Sequence, residues 1–175
     1  MDKQNQQWYV VYTASRAEKK TANRLEEAGF EVFLPLYSTI RQWSDRKKKL
    51  SLPLIARVVF LRGSKQDLIT VYDIPGVVGV LKEKGVPAVV RAFEIKNLKL
   101  LVKEWNGEQV NTKVNNLDLK VGDEVEVISG AFFGLRGTSV QLKGKHRLLI
   151  KLDALGLEYL VDVSKSSVKK CMSYA

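Results

Sequence analysis

Basic side chains at regular spacing are the first residues of this chain whose types and positions predict a chemistry. Three of them recur every fourth residue: Arg16, Lys20 and Arg24. On an α-helix this spacing produces one cationic stripe, which can contact successive phosphates of a nucleic acid. A solvated helix face has the same spacing, so both interpretations stay open. A second basic group follows in the chain: Arg46, Lys47, Lys48 and Lys49.

Side chains that carry out catalysis or bind metals are scarce. The chain has one histidine, His146, and one cysteine, Cys171. An internal disulfide and a cysteine-rich metal site are therefore excluded, and no further histidine is available to complete a Ser-His-Asp or Cys-His set. A glycine-rich phosphate loop followed by Lys and Ser or Thr is also missing from the sequence. We expect a protein that is not an enzyme and that has no metal or cofactor.

The charge balance favours an anionic partner. The 175 residues include 29 Lys and Arg against 19 Asp and Glu, a net charge of +10. Residues 1–105 hold 19 basic and 11 acidic side chains, whereas residues 106–175 hold 10 and 8, so the excess lies mainly in the first part. The polar N-terminus lacks the apolar core of a signal peptide, and no apolar run approaches the ~20 residues of a membrane span. We expect a cytoplasmic monomer that does not enter a membrane.

The elements that must position these cations alternate between strands and helices. Apolar runs predict strands at 8–13, 30–36, 54–61 and 74–81, and spacings of three and four predict helices at 16–28, 65–72 and 91–105. Ser15 and Glu18 have the spacing of a capping box for the first helix. Residues 38–52 contain the second basic group and break the apolar periodicity, which predicts a projecting basic hairpin or loop. This order predicts an α+β sandwich, with helices packed on a mostly antiparallel sheet.

The chain beyond residue 105 predicts a linker and a second domain. Residues 106–116 are polar and lack helical periodicity, which is typical of a flexible interdomain linker. In 117–175, Val125 and Val127 alternate with glutamates, and further strands are predicted at 147–152 and 157–163. Short strands joined by glycine turns favour a small, all-β, SH3-like barrel. We therefore divide the chain into domains 1–105 and 117–175, joined by the linker.

Two sets of motifs resemble the NusG family in the family's order. A strand, three glycines around two phenylalanines (Gly130, Gly134 and Gly137) and a second strand resemble a KOW motif. Upstream, residues 8–13 (WYVVYT), 29–35 (GFEVFLP) and 75–79 (PGVVG), with the apolar strand at 54–61, resemble the NusG N-terminal domain. Together the motifs cover nearly the whole chain.

The resemblance implies that the first domain docks on the clamp helices of RNA polymerase and suppresses pausing. It places that surface on Tyr12, Leu54, Ile55 and Arg57. The family usually has Pro-Gly-Tyr or Pro-Asn-Tyr where this chain has Ile55-Ala56-Arg57, so a cation replaces an aromatic anchor. The helix cations would then face the non-template DNA strand or nascent RNA, and residues 46–49 the upstream duplex. The KOW domain would contact a ribosomal protein or Rho through turn residues: Phe132, Leu135 and Leu155.

Within the family, the missing Pro-Gly-Tyr and the basic segment favour a specialised paralogue of the UpxY or RfaH type. Such paralogues prevent termination in long operons, for example those for surface polysaccharides. A housekeeping NusG-type elongation factor and a ribosome-associated KOW protein that binds RNA are the alternatives. The ribosomal alternative explains the charge but not the first domain or the linker.

Overall fold

The chain forms two compact units, residues 1–92 and residues 93–175. A computed structural model describes residues 6–42, 46–104, 121–130, 132–142, 145–162 and 168–171, so the predicted linker at 106–116 lies outside the described residues. Within those ranges, no helix is both long and apolar enough to cross a membrane.

The first unit contains nine strands and two helices among its described residues. In chain order these are β1 (Gln7–Thr13), α1 (Glu18–Glu27), β2 (Glu31–Phe33), β3 (Leu36–Gln42), β4 (Lys47–Pro53), β5 (Val58–Gly63), α2 (Asp67–Val71), β6 (Val77–Val80), β7 (Lys82–Glu83), β8 (Val86–Pro87) and β9 (Val89–Val90). The main sheet has the order β2-β5-β1-β6, and β9 also pairs with β1. All of these pairings are antiparallel, as predicted.

Strand β1 lies in the middle of this sheet because its residues are apolar on both faces. Tyr9, Val10 and Val11 are at most 1% exposed. Helix α1 packs on one face through Ala22 and Leu25, which join the apolar cluster around β1 and β5. Covering such a strand on both faces removes apolar surface from water, which is the main favourable term in forming this unit.

Two boundaries near α1 differ from the sequence predictions. The predicted capping box is wrong: α1 begins at Glu18, and its first turn has no side-chain cap. Arg16 lies outside the helix, at φ 60°. The strand predicted at 54–61 begins only at Val58. Residues 54–57 form a turn, since Arg57 has φ 61°, a left-handed conformation that ends an extended strand.

Hydrogen bonds to Arg57 explain both the missing cap of α1 and the late start of β5. The carboxylate of Glu18 accepts a hydrogen bond from the backbone N–H of Arg57 at 2.8 Å, so it does not cap its own helix. The backbone N–H of Thr13 donates to the Arg57 carbonyl at 2.9 Å, and the Arg57 Nε donates to the Thr13 carbonyl at 3.2 Å. Arg57 therefore joins the end of β1 to the start of α1, and Glu18 is 93% buried there (7% exposed).

Strands β3 and β4 form a separate two-stranded sheet, which we call the basic ribbon. Their register runs over seven pairs, from Leu36↔Pro53 to Gln42↔Lys47. The second predicted strand is therefore shorter than expected, because residues 30–36 divide between β2 and the start of the ribbon. The prediction of a basic hairpin in 38–52 is confirmed.

A capping box lies at the start of α2 instead of α1. The backbone N–H of Ser64 donates to the Asp67 carboxylate at 2.7 Å, and the Asp67 N–H donates to the Ser64 hydroxyl at 3.2 Å. Two hydrogen bonds with Ser64 lower the pKa of Asp67 below its ordinary value. The bond from the Ser64 backbone has the larger effect, and the bond with the Ser64 side chain has the smaller one. These reciprocal bonds satisfy N–H groups that a short helix leaves unpaired.

The second unit begins with helix α3 (Ala92–Glu104) and continues into an antiparallel sheet. Its strands are β10 (Glu124–Val127), β11 (Arg136–Leu142), β12 (Lys145–Leu152), β13 (Leu157–Asp162) and β14 (Val168–Lys170), in the order β13-β12-β11-β10-β14. A short 3-10 helix, Asp153–Leu155, joins β12 to β13. The observed strands confirm the predicted alternation, and the whole chain has the predicted α+β class.

Helix α3 contacts this sheet through one amide side chain. Asn97 Nδ2 donates to the Arg136 carbonyl at 2.7 Å, and the Arg136 N–H donates to Asn97 Oδ1 at 3.1 Å. Asn97 is 2% exposed, so both bonds are shielded from water. They pair the backbone N–H and carbonyl of Arg136 at the start of β11.

Candidate nucleic-acid interface

The three cations predicted to form one helical stripe have different environments. Lys20 is exposed on α1, and Arg16 is exposed in the turn before it. Arg24 is half-buried, and its Nη1 donates to the Pro75 carbonyl at 2.6 Å. Because Arg16 is not helical, the three side chains do not lie on one stripe of α1. The stripe prediction is therefore wrong in its geometry, while a phosphate contact by Lys20 or Arg16 stays a prediction.

Arg24 and its neighbour Thr21 hold the turn that leads into β6. Gly76 has φ 100°, and a side chain at this position would overlap the hydroxyl of Thr21. The turn therefore packs directly on α1, with Arg24 bound to the preceding carbonyl. In this structure Arg24 acts as a packing residue of the first unit.

Lys19 is a basic residue that the helical spacing did not select. Its Nζ donates to the Ser51 carbonyl on β4 at 2.6 Å, which connects α1 to the base of the basic ribbon. The Leu54 N–H also donates to the Pro35 carbonyl at 2.8 Å and closes the ribbon beyond its last pair. Both contacts fix the base of the ribbon, and neither could be identified from periodicity because each joins distant segments.

The outer end of the basic ribbon carries a group of exposed cations. Lys47, Lys48 and Lys49 are consecutive residues of β4, and all three are exposed. Arg46 is exposed just before the strand. Residues 36–53 contain five basic residues and one acidic residue, Asp45, so the ribbon is strongly positive. The structure therefore places Lys47, Lys48 and Lys49 on one strand, with Arg46 directly before it.

Several cations of the second unit are paired with acids. Among its described residues, ion pairs join Arg136 to Glu126 at 3.0 Å and Lys170 to Asp123 at 2.7 Å. Arg147 pairs with Asp162 at 2.6 Å and is about three-quarters buried. These pairs reduce the positive potential of the second sheet, so the field that attracts an anion comes mainly from the first unit.

The residues assigned to polymerase docking lie around the end of β1. Tyr12 is half-buried and pairs with Val58 on one side and Gly79 on the other. Leu54 is half-buried in the turn before β5, whereas Ile55 is 9% exposed and contributes to the core. Arg57 is exposed overall, but its Nε is bound to the Thr13 carbonyl. Tyr12 and Leu54 are therefore the members of this set that present apolar surface without being buried.

The residues assigned to partner binding in the KOW region are mostly inside the second unit. Phe132 is 6% exposed and Leu135 is 0% exposed, while Leu155 is half-buried in the 3-10 helix. Phe133 is 65% exposed and Ile128 is 47% exposed. Sequence reasoning selected the wrong member of the phenylalanine pair as the surface residue. In the same turn the Leu135 N–H donates to the Phe132 carbonyl at 2.9 Å.

Comparison with known proteins connects these features to one family. A family model described as transcription termination factor nusG matches residues 6–99, which is more than half of the chain. The transcription termination/antitermination protein NusG of Rickettsia prowazekii (strain Madrid E) is 26% identical over 178 residues, covering 94% of this chain and 90% of that protein. The corresponding protein of Rickettsia conorii (strain ATCC VR-613 / Malish 7) is 27% identical over 181 residues, covering 97% and 92%.

A solved structure that describes the domain interaction in Thermotoga maritima NusG is also similar, at 23% identity and a TM-score of 0.48, covering 95% of this chain and 97% of that one. The family model extends from β1 into α3, and the curated relatives extend through the second sheet as well. This chain therefore belongs to the NusG family of transcription termination and antitermination factors.

Proposed function

We propose that this protein binds transcribing RNA polymerase through its first unit and suppresses pausing or termination. Tyr12 and Leu54, on the half-buried apolar surface at the end of β1, would contact the polymerase clamp helices. The basic ribbon would contact upstream DNA, and Lys20 with Arg16 the non-template strand or nascent RNA. The observation that carries this proposal is the cluster of exposed lysines at 47–49 in the same unit as that apolar surface.

The second unit would recruit a further protein. Phe133 and Ile128 are exposed apolar side chains on the turn between β10 and β11. Such a pair on a small domain fits a protein contact, because large exposed apolar side chains close together mark interaction sites. A ribosomal protein or Rho is the partner we propose here. The same proposal keeps the predicted division into domains 1–105 and 117–175 joined by 106–116. The compact units instead divide at residue 92, so that α3, which the prediction gives to the first domain, is grouped with the second sheet.

We further propose that the protein is a specialised antiterminator of a long operon, such as one for surface polysaccharide. The support is the Ile55-Ala56-Arg57 segment, in which a cation replaces the family's usual aromatic residue. A housekeeping NusG-type factor is the second candidate, and the similarity to curated NusG proteins over more than nine-tenths of the chain favours it. Deleting the gene and measuring transcripts genome-wide separates the two. Loss of a specialised factor should lower the transcript levels of distal genes in a few long operons. Loss of a housekeeping factor should change the levels of many transcripts.

The docking proposal is tested with the full chain and purified RNA polymerase. Tyr12→Ala should weaken binding to the polymerase by at least tenfold, because it removes an aromatic anchor from the proposed contact. Leu160→Ala is the matched control, since Leu160 is a 43% exposed apolar side chain on the second sheet. Circular dichroism would verify that both variants stay folded. Equal polymerase affinity for a folded Tyr12→Ala variant and for the unchanged protein would refute the assignment of this surface.

A further inference from the structure

Arg57 is an exposed arginine whose backbone and side chain are both held in place. Its backbone N–H donates to the buried carboxylate of Glu18 at 2.8 Å, and its carbonyl accepts from the Thr13 N–H at 2.9 Å. Its Nε donates to the Thr13 carbonyl at 3.2 Å. Because these bonds already order the side chain at the end of β1, the guanidinium loses little further conformational entropy when it meets a ligand.

The two terminal nitrogens of Arg57 have no partner in the described part of the chain. Elsewhere arginines pair with carboxylates: Arg62 with Glu31 at 3.0 Å, and Arg147 with Asp162 at 2.6 Å. The carboxylate of Glu18 lies beside Arg57, but it accepts from the backbone N–H and not from the side chain. With Nε bound to β1 and the residue exposed, Nη1 and Nη2 are the atoms left to bind a ligand.

Apolar side chains lie close to Arg57 in the fold. Tyr12 precedes the residue to which Arg57 is bound, and its ladder partner Val58 follows Arg57. Tyr12 and Leu54 are both half-buried, so each keeps some apolar surface in contact with solvent. Aromatic residues and arginine are enriched at protein interfaces, where an apolar centre surrounds a few polar contacts. This combination fits an acidic side chain on an apolar protein surface better than a row of phosphates.

We propose that Arg57 binds one carboxylate on the surface of RNA polymerase, with Nη1 and Nη2 each donating to one carboxylate oxygen. Tyr12 and Leu54 pack on the apolar surface around that carboxylate. This inference rests on the proposed function, in which the same end of β1 docks on the polymerase. A guanidinium donates to both oxygens of a carboxylate in fixed geometry, which an ammonium group does not. Arg57 therefore selects an acidic position on the partner and sets the orientation of docking.

The first experiment measures binding of full-chain variants to RNA polymerase without nucleic acid. Arg57→Gly removes the guanidinium and suits the φ of 61°, so the backbone bonds of the turn are kept. It should weaken binding by about tenfold or more, and Arg57→Lys by a similar factor, because both lose the paired donors. Lys84→Gly is the matched control, since Lys84 is an exposed cation of the same unit with φ 49°, and its effect should stay within about twofold. A folded Arg57 variant, by circular dichroism, with the affinity of the unchanged protein would overturn the inference.

The second experiment uses Arg57→Lys to identify the acidic group. A zero-length carbodiimide joins an amine to a carboxylate in contact with it, with loss of water. In complexes formed at saturating concentration, the amine introduced at position 57 should crosslink to one Asp or Glu of the polymerase, which peptide mass spectrometry identifies. Neutralising that polymerase residue should weaken binding of the unchanged protein as much as Arg57→Gly does. The absence of any crosslink from position 57 in the bound complex would contradict the inference.

The outcomes separate this inference from the proposed function. If Tyr12→Ala weakens polymerase binding while the Arg57 variants bind normally, docking through β1 stands and the carboxylate contact is wrong. If the unchanged protein does not bind polymerase, the proposed function itself is refuted. Weaker binding of Arg57→Gly to free duplex DNA, together with normal polymerase binding, would assign the guanidinium to phosphates and would also overturn the inference.

Discussion

Gly137 is the glycine of the second sheet for which an added methyl group has the least room. A Cβ at this position would lie 2.5 Å from the Leu149 carbonyl oxygen and 2.9 Å from Leu148 Cγ. The oxygen belongs to the backbone of β12, and Leu148 is 0% exposed, so neither atom can rotate away. Gly137→Ala must therefore push β12 away from β11 by nearly an ångström. Overpacking of this kind costs about 1–3 kcal/mol, and the immobile backbone places the expected loss at about 2–3 kcal/mol.

The assay is thermal unfolding of the full chain together with hydrogen exchange measured by mass spectrometry. In a unit of this size the loss corresponds to a fall in Tm of roughly 10–20 °C for the second unit. Peptides from β11 and β12 should lose protection, while peptides from β1 and β5 should keep it. Gly79→Ala is the matched control, because no atom lies within 4 Å of its added Cβ, and its effect should stay within about 0.5 kcal/mol. Unchanged Tm and unchanged protection of β12 in Gly137→Ala would refute the close-approach argument.

Three further predictions concern single contacts. Asn97→Ala should cost about 1–3 kcal/mol and speed exchange of the Arg136 amide, since it removes both side-chain hydrogen bonds to the Arg136 backbone; protection equal to that of the unchanged protein would contradict this. Gly76→Ala should lower the free energy of unfolding of the first unit by about 2 kcal/mol. Adding Thr21→Ala should restore part of this free energy, because it removes the hydroxyl that the new methyl group overlaps. If denaturant titrations show no recovery, the positive φ of residue 76 and not the overlap causes the loss of stability. Asp67 has a lowered pKa in the folded state, so its stabilising effect is present above the unfolded value and is lost as pH falls through the folded value. Asp67→Asn should therefore destabilise at pH 7, and the difference from the unchanged protein in urea unfolding should shrink as pH falls below the ordinary pKa of 3.8; a difference that stays constant with pH would contradict this.

The periodicity of the sequence predicts most strands and helices of this chain because its apolar residues follow the geometry of single elements. The run at 8–13 predicts a central strand, and β1 is buried on both faces. The failures near α1 have a different origin. Glu18 has the spacing of a capping residue, but its partner is the Arg57 N–H, which is distant in the chain. A long-range hydrogen bond of this kind leaves no mark in a local pattern.

The candidate interfaces show the same division between local and long-range information. The lysines at 47–49 could be selected from the sequence alone because they are consecutive, and they are exposed on the ribbon. Arg24 has the same charge but is bound to the Pro75 carbonyl, a contact between segments far apart in sequence. Adjacent phenylalanines likewise have equal hydrophobicity, so only the turn that positions Phe132 inward distinguishes it from Phe133.

The cation at position 57 changes how the first unit would meet its partner. In the resemblance to the family, an aromatic residue precedes the apolar strand and is implied to serve as an anchor. Here Arg57 has a left-handed backbone, receives the Thr13 N–H at its carbonyl and donates from Nε to the Thr13 carbonyl. These bonds use its backbone and part of its guanidinium within the unit, so its side chain is held against the end of β1. In the proposed docking, apolar contact with a partner would then come from Tyr12 at the end of β1 and from Leu54, since the bonds of Arg57 preserve the turn beside both residues.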